Sequence, residues 1–320
     1  MQAQTLPVIL KGGDTLAQAK TGTGKTLAFM LPTIQNLLAN PVRKGQIGAL
    51  IISPTRELAA QIATATEPCI ANLNMKVQIA TGGTNQNSEA KRLMGGQCQI
   101  LVATPGRLLD HLQNGGLREC MQDLKTLVLD EADRLLDSGF KRDIEAVIRC
   151  VLPRRIGLVL ILYVGTYSLL PDRRKTKRQS LLFSATLPPD VQAVARIALS
   201  PDHTFVSTIA DDEQATHEHV PQSVAIAELP EFHTTLVSIL KQEIANTKNN
   251  KIMIFLPTAR STGLVFDMLE RLDKKVLGLP VWEIHSRMSQ SARNKSAEAF
   301  KSATSGILVS SDVTARGMVR

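Results

Sequence analysis

Eight residues near the start of the chain, from Ala19 to Thr26, have the types and order that bind phosphate. Gly22 and Gly24 let the backbone curl, so that consecutive N–H groups can point at phosphate oxygens. The Lys25 ammonium can reach the β- and γ-phosphates of a nucleotide, and the Thr26 hydroxyl can ligate Mg²⁺. Ala19 stands where such loops usually have a glycine. The residues predicted to bind nucleotide phosphates are Ala19, Thr21, Gly22, Thr23, Gly24, Lys25 and Thr26.

The segments around this loop favour a ligand site over a plain turn. An apolar run at residues 15–17 precedes the loop, and residues 27–38 follow with the apolar spacing of a helix. A strand, a glycine-bearing loop and a helix in this order present the positive end of a helix dipole to a bound anion. A Gly/Thr-rich turn without a ligand is the alternative interpretation.

A second group of chemically competent residues is Asp130-Glu131-Ala132-Asp133, directly after the apolar run 124–129. An acidic residue at the end of a strand beside a phosphate loop is a Mg²⁺ partner, and Asp130 can bind the ion through water. Glu131 is then placed to orient and deprotonate an attacking water. The alternative, an acidic surface turn, is weakened by the phosphate loop upstream.

The elements that must position these residues alternate between strand and helix patterns, which predicts an α/β fold with parallel sheets covered on both faces. We predict a first domain at 1–208, a polar linker at 209–219 and a second domain at 220–320. Residues 154–171 interrupt this order and are interpreted as a surface insertion, with an extra buried strand as the alternative. The predicted strands are 15–19, 48–53, 76–81, 99–103, 126–129, 180–184, 223–227, 251–255, 281–284 and 306–310. Predicted helices include 56–73, 105–113, 141–152, 231–245, 259–272 and 290–301.

Composition and charge narrow the class of protein. The formal net charge of +8 is shared equally by residues 1–219 and 220–320, which permits a polyanionic partner on both halves. The four cysteines contain no C-x-x-C pair, which argues against a zinc ribbon or a disulfide framework and indicates a reducing, intracellular compartment. The apolar run 156–164 is too short to span a bilayer, so we expect no membrane partner.

Short stretches along the whole chain complete a pattern around the Asp-Glu-Ala-Asp box. They are Pro54-Thr55-Arg56-Glu57-Leu58-Ala59, Thr81-Gly82-Gly83, Thr104-Pro105-Gly106-Arg107, Ser184-Ala185-Thr186, Ile254-Phe255-Leu256-Pro257-Thr258, His285-Ser286, Gln290 with Arg293, and Ser311-Asp312-Val313 with Ala315-Arg316-Gly317. Each is a common peptide, but their joint occurrence in this order is specific. On these residues the chain resembles the DEAD-box ATP-dependent RNA helicases of superfamily 2. The resemblance implies two tandem RecA-like (P-loop NTPase) domains with parallel sheets, the second incomplete.

The resemblance also implies roles for individual residues. Gln2 reads adenine, Asp312 faces the ribose, and Lys25, Asp130 and Glu131 are catalytic. Asp133, Ser184 and Thr186 couple the ATP site to the RNA site. The residues expected to bind RNA are Pro54, Thr55, Arg56, Gly82, Gly83, Thr104, Pro105, Gly106, Arg107, His285, Arg293 and Ser311. Such residues hold the RNA backbone and read no bases, so binding should be largely independent of sequence.

The implied mechanism is ATP-driven domain closure around single-stranded RNA, which unwinds short duplexes locally. The sequence lacks an aromatic residue before Gln2 and an arginine motif after Ser311, so we regard it as truncated at both ends and expect slow hydrolysis. The missing motif and the 154–171 insertion favour the alternative of a non-catalytic RNA- or nucleotide-binding remnant or scaffold, which the intact Lys25, Asp130 and Glu131 oppose. A DNA helicase or a transporter-type ATPase is a weaker alternative. The residues near both ends, 1–7 and 310–318, are similar to those of the fungal mitochondrial and plant organellar subgroup. This similarity favours a mitochondrial location for the protein and leaves the cytoplasm, nucleus and nucleolus open as alternatives.

Overall fold

A computed structural model describes residues 1–20, 22–137, 139–151, 178–209, 221–246, 249–272 and 277–311. The chain divides into two compact units, Met1–His217 and Glu218–Arg320. The predicted insertion at 154–171 lies outside the described residues, as does the predicted linker apart from its first residue. The predicted domain limits therefore stay a prediction.

The first unit is built on a seven-stranded sheet whose strand order is β3-β4-β2-β5-β6-β1-β7. The strands are β1 (Thr15–Gln18), β2 (Ala49–Ile52), β3 (Val77–Ala80), β4 (Ile100–Ala103), β5 (Thr126–Leu129), β6 (Gln179–Ser184) and β7 (Thr204–Ser207). All strand pairs are parallel. Parallel strands place their carboxyl ends at one edge of the sheet, so the loops that follow them meet there.

Helices connect these strands and cover both faces of the sheet. They are α1 (Gln2–Ile9), α2 (Lys25–Ala39), α3 (Arg56–Ile70), α4 (Gln86–Met94), α5 (Pro105–Asn114), α6 (Ala132–Asp137), α7 (Lys141–Val151) and α8 (Pro189–Ala198). Along β2, Leu50 packs into one apolar cluster with residues of α5, α7 and α8, whereas Ile51 packs into a second cluster with residues of α1, α2 and α3. Successive residues of a strand point to opposite faces, so β2 is buried on both sides. The predicted α/β class is confirmed.

A buried carboxylate ties three elements together at the opposite edge of this sheet. Asp14, just before β1, accepts a hydrogen bond from the backbone N–H of Ser180 in β6 at 2.7 Å. Its second oxygen accepts from the N–H of Ser200, just after α8, also at 2.7 Å. Hydrogen bonds to a charged acceptor are stronger than neutral ones, so Asp14 stabilises the join between β1, β6 and α8.

The second unit contains a parallel sheet of order β8-β10-β9. Its strands are β8 (Lys251–Leu256), β9 (Val281–Ile284) and β10 (Gly306–Ser311), and its helices are α9 (Phe232–Asn246), α10 (Ala259–Arg271) and α11 (Gln290–Ser302). Ile307 and Val309 of the central strand pack with Val265 and Leu269 of α10. The second unit therefore has an apolar core of its own.

The strand predicted at 223–227 is wrong. Residues 221–228 have no regular secondary structure, and the Val224 and Ile226 side chains are 90% and 96% exposed. Within the described part of the chain, no strand of either sheet pairs with this segment. An apolar alternation becomes a strand only when a neighbouring strand supplies hydrogen bonds and packing. The prediction also missed β7, whose side chains are mostly exposed.

Candidate functional site

The predicted site residues of the first unit lie on loops at the carboxyl edge of its sheet. The phosphate loop follows β1, the Asp-Glu-Ala-Asp box follows β5, and Ser184 ends the strand between them, β6. The stretches predicted to bind RNA follow β2, β3 and β4, which are adjacent in the other half of the same sheet. The sheet order thus groups the two predicted functions side by side along one edge.

The phosphate loop has the backbone geometry that its sequence predicts. Gly22 and Gly24 have φ angles of 77° and 84°, a region that glycine enters without steric cost. Gly24 caps α2, which begins at Lys25. The Lys25 side chain is only 4% exposed, and its Nζ lies 3.4 Å from the Ala19 carbonyl across the loop. The ammonium is therefore held at the helix N-terminus, where an anion is favoured.

Other members of the predicted nucleotide site have individual contacts. The Thr23 hydroxyl donates to the Lys20 carbonyl at 2.8 Å and so closes the loop on itself. The Thr26 side chain is buried in the first turn of α2. Thr21 and Asp312 lie outside the described residues.

Gln2, predicted to read adenine, sits against the phosphate loop. Its Nε2 donates to the Gly24 carbonyl at 3.2 Å. A Cβ atom added at Gly24 would lie 2.7 Å from that Nε2, closer than real Cβ contacts allow. The contact joins α1 to the loop, and the positive φ of Gly24 is what favours glycine at this position.

The acidic box begins where β5 ends. The N–H of Asp130 continues the β5 ladder by donating to the Ile52 carbonyl at 3.0 Å, and its side chain is buried. Asp130 Oδ1 accepts from the N–H of Glu131 at 3.1 Å. Glu131 has a φ of 50°, a left-handed conformation that L side chains rarely adopt. The Glu131 carbonyl accepts a hydrogen bond from the N–H of Leu135, so Glu131 lies directly before α6 and is hydrogen-bonded to its first turn.

Asp130 and Thr26 carry oxygen atoms of the kind that a magnesium ion prefers. Mg²⁺ prefers carboxylate, hydroxyl and phosphate oxygens and keeps several waters, so Asp130 and Thr26 are suitable donors when a nucleotide supplies the remaining oxygens. No group of three or more His, Cys, Asp or Glu residues that could hold a metal occurs among the residues described. A Mg²⁺ shared with substrate phosphates does not require such a group.

Asp133 connects the acidic box to the end of β6. Asp133 Oδ2 accepts from both the N–H and the hydroxyl of Thr186, at 3.1 and 3.0 Å. The N–H of Asp133 donates to the Ser184 hydroxyl at 3.2 Å, and that hydroxyl donates to the Thr186 carbonyl at 2.7 Å. The three residues predicted to couple the sites therefore form one hydrogen-bonded group between β5 and β6.

Two of the stretches predicted to bind RNA meet in the first unit. Thr55 caps α3, with its hydroxyl accepting from the N–H of Leu58 at 3.2 Å. Arg56 lies against Gly82, since a Cβ at Gly82 would be 2.7 Å from the Arg56 guanidinium. Gly83 has a φ of 89°. Pro54, just before this helix, is buried.

The third stretch predicted to bind RNA, residues 104–107, forms the start of α5. Thr104 is the N-cap residue, and Pro105 takes the first helical position, where its missing N–H costs nothing. Gly106 follows in the same turn. Arg107 Nη2 donates to the Thr84 carbonyl at 3.0 Å, so the third stretch contacts the turn that contains Gly82 and Gly83.

Sequence reasoning missed an acidic residue at the centre of this contact. Glu89 of α4 is 4% exposed, and its carboxylate lies 2.7 Å from His111 Nε2 and 3.6 Å from Arg107 Nη1. It also accepts from the Thr84 hydroxyl at 2.5 Å. The available signal was its spacing four residues before Leu93, which puts an acid on the buried face of α4.

The predicted RNA-binding residues of the second unit also lie near the carboxyl edge of their sheet. His285 follows β9, with its Nε2 3.2 Å from Glu283 Oε2 and its Nδ1 accepting from the N–H of Arg287. Arg293 is in the first turn of α11 and donates to Gln290 Oε1 at 3.3 Å. Ser311 is the last residue of the central strand and is buried.

Comparison with known proteins places these features in a family. The profile described as DEAD/DEAH box helicase matches residues 1–194, and the one described as Helicase conserved C-terminal domain matches residues 235–318.

None of the helices described is both long and apolar enough to cross a membrane.

Individual relatives agree with the profiles. The chain is 42% identical over 320 residues to DEAD-box ATP-dependent RNA helicase 26 of Oryza sativa subsp. japonica, a match covering 99% of this chain and 54% of that protein. It is 40% identical over 341 residues to ATP-dependent RNA helicase mss116, mitochondrial, of Aspergillus fumigatus, covering 99% of this chain and 49% of that protein. The chain thus spans about half the length of these relatives.

A solved structure gives the same answer for the fold. Mss116p (NTE and C-tail double deletion) bound to ssRNA and AMP-PNP aligns with a TM-score of 0.84 and 32% identity, over 99% of this chain and 61% of that one. The two-domain RecA-like fold predicted from the motifs is confirmed. By profile, by relatives and by its Asp130-Glu131-Ala132-Asp133 box, the chain belongs to the DEAD/DEAH box helicase family, as a DEAD-box member.

Proposed function

We propose that the chain is an ATP-dependent RNA helicase that binds the backbone of single-stranded RNA and locally unwinds short duplexes. The observation that carries this proposal is the arrangement along one sheet edge of the first unit. The predicted nucleotide loops follow β1 and β5, the predicted RNA stretches follow β2, β3 and β4, and Asp133 is hydrogen-bonded to Ser184 and Thr186. Events at the nucleotide can thereby be transmitted to the strand ends beside the RNA.

In this proposal the nucleotide is held by the phosphate loop and by Gln2. Backbone N–H groups of residues 21–26 and the buried Lys25 ammonium bind the phosphates, and Asp312 contacts the ribose. A Mg²⁺ ion held by Thr26 and Asp130 would neutralise charge on the phosphate oxygens when bound. Glu131 orients and deprotonates the water, because its backbone is fixed between the end of β5 and the start of α6.

RNA binding in the first unit rests on the ends of β2, β3 and β4. Glycines at 82 and 83 let a phosphate approach the backbone, Arg56 supplies charge, and helix N-termini at α3 and α5 favour anions. The proposed RNA contacts are Pro54, Thr55, Arg56, Gly82, Gly83, Thr104, Pro105, Gly106 and Arg107, with His285, Arg293 and Ser311 from the second unit. Such contacts hold sugar and phosphate, so the preference for RNA sequence should be weak. For unwinding we propose ATP-driven closure of the two domains.

An RNA-stimulated ATPase assay tests this function. Lys25→Ala should abolish stimulated turnover and weaken nucleotide binding, because it removes the ammonium that is held across the loop from Ala19 and is proposed to bind the phosphates. Glu131→Gln should retain nucleotide and RNA binding and lose turnover. The matched control is Lys44→Ala, an exposed lysine between α2 and β2 at the opposite edge of the sheet, which should behave as the parent. Equal binding of nucleotide and RNA by the parent and by Lys25→Ala would refute the proposal.

We propose a mitochondrial location. Two relatives that match 95% or more of the chain, from Aspergillus fumigatus and Aspergillus oryzae, are described as mitochondrial. Fractionation of cells that express the full-length protein with a C-terminal tag tests it. Enrichment of the tag with mitochondrial matrix markers is expected, and enrichment in the nuclear or cytosolic fraction would contradict it.

A further inference from the structure

The acid missed by sequence reasoning, Glu89, is the common partner of two RNA-binding stretches. One carboxylate oxygen accepts from the Thr84 hydroxyl, in the turn at residues 81–84, at 2.5 Å. The other lies 2.7 Å from His111 Nε2 and 3.6 Å from Arg107 Nη1, both in α5. Because His111 is fully buried and Glu89 nearly so, these contacts form where water screens them little.

Arg107 closes the same group from the other side. Its Nη2 donates to the Thr84 carbonyl at 3.0 Å, and its side chain is only 13% exposed. Thr84 is therefore held twice, through its hydroxyl by Glu89 and through its carbonyl by Arg107. Within the described residues, Arg107 Nη1 is buried without a hydrogen-bond partner and faces the Glu89 carboxylate. The positive charge of the Arg107 guanidinium therefore interacts with groups inside the protein, the Glu89 carboxylate and the Thr84 carbonyl.

We infer that Glu89 is a positioning residue for RNA binding, which locks the turn at 81–84 to the start of α5 so that both RNA-binding stretches form one rigid surface. In this role Arg107, placed above among the proposed RNA contacts, supports the surface from within: its guanidinium is engaged by Thr84 and Glu89 and does not neutralise a phosphate. The inference rests on the proposed RNA-binding function. A surface that is already ordered before RNA binds has the higher affinity, because no conformational entropy is then lost in ordering it during binding.

The effect on RNA affinity expected from the positioning role of Glu89 is opposite to the effect expected from its charge alone. Removing a carboxylate near a polyanion should strengthen RNA binding through reduced repulsion. If Glu89 is a positioning residue, Glu89→Ala should instead weaken binding of a single-stranded RNA by about tenfold, since the turn must then be ordered on binding. Glu89→Gln should restore most of the affinity, because its amide can still bond Thr84 and His111. ATP affinity without RNA should stay at the parent value, since the nucleotide loops follow other strands.

The dependence of RNA affinity on salt separates position from charge. Each phosphate neutralised on a single strand contributes roughly −0.7 to the slope of log K against log salt. Arg107→Ala should lower the affinity without changing that slope, and the double variant with Glu89→Ala should be no weaker than either single variant. Glu67→Ala, which removes an exposed acid on α3, is the matched control and should bind as the parent or slightly tighter.

The outcomes that overturn the inference are distinct from failure of the proposed function. RNA binding by Glu89→Ala at or above the parent affinity overturns it, and so does a slope reduced by about 0.7 in Arg107→Ala, which would make Arg107 a phosphate ligand. If Glu89→Ala does not fold, Thr84→Val removes the hydroxyl that donates to Glu89 and also lies 3.1 Å from the Thr81 carbonyl, and parent-like RNA affinity in that variant overturns the inference equally. No RNA binding by the parent chain overturns the proposed function, and this inference with it.

Discussion

The link between Asp133 and Thr186 gives a prediction that can be worked out from its hydrogen bonds. Thr186→Val keeps the side-chain shape and removes one donor, the hydroxyl 3.0 Å from Asp133 Oδ2, while the N–H bond to the same oxygen remains. A hydrogen bond to a charged, buried acceptor contributes about 1.5–3 kcal/mol. We therefore expect the variant to lose about 2 kcal/mol of local stability where β5 and β6 end.

Hydrogen exchange followed by mass spectrometry measures this loss locally. A change of about 2 kcal/mol raises the opening equilibrium of the segment after β5 by about 30-fold. Peptides covering β8 in the second unit serve as the internal reference and should not change. Thr66→Val is the matched control, since that buried hydroxyl donates at 2.6 Å only to a carbonyl of its own helix, α3.

A double-mutant cycle isolates the pair. Asp133→Ala alone should cost more than Thr186→Val, because Asp133 also accepts the N–H of Arg134 at 3.0 Å. If the contact is formed as described, the two changes should be non-additive by about 1–2 kcal/mol. RNA stimulation of ATPase should fall in both single variants with ATP affinity retained. Additive effects, together with unchanged RNA stimulation, would refute the reasoning about this link.

Three further predictions concern the first unit. Gly24→Ala should destabilise the phosphate loop by about 1–2 kcal/mol, because position 24 has a φ of 84°, which L side chains rarely adopt. A drop in melting temperature with weaker nucleotide binding would show this, and unchanged values would contradict it. Asp14→Ala should cost about 2–4 kcal/mol by releasing two backbone N–H groups, measured as faster exchange at the start of β6, with Asp202→Ala, an exposed acid, as control. Burial raises the pKa of the Cys98 thiol from 9.0 to about 12, so the stability that this neutral thiol contributes is full below pH 9 and falls between pH 9 and 12 as the unfolded chain ionises. Denaturation across that range should show a loss that Cys98→Ala lacks, and identical curves would count against it.

The backbone geometry around Gly22 and Gly24 in the predicted phosphate loop could be predicted because it depends on neighbouring residues. The order of Gly22, Gly24, Lys25 and Thr26 already fixes a turn with left-handed residues followed by a helix, and the structure has that geometry. The predicted positions of β1 to β6 agree to within a residue or two, since buried parallel strands are short apolar runs that stand out from polar loops, whereas the mostly exposed β7 was missed. The sheet order could not be read from the sequence, because it depends on which strands pair.

Failures of prediction occurred where partners are distant in sequence. Residues 223–227 have a strand's composition, yet strand formation needs a neighbour that composition cannot supply. Glu89 resembles any acid in the first turn of a helix, where negative charge is common. Its role appears only when α4, α5 and the turn at 81–84 are packed together.

Two requirements conflict at Glu131, whose backbone is left-handed: low backbone strain favours glycine, and the proposed activation of water needs the carboxylate. Glycine there would relieve roughly 1–2 kcal/mol of steric strain, but it would delete the side chain proposed to activate water. Variants screened only for heat tolerance would therefore drift towards an inert protein at this site. Any effort to make this helicase core more robust has to leave residue 131 strained and look for its gains elsewhere in the chain.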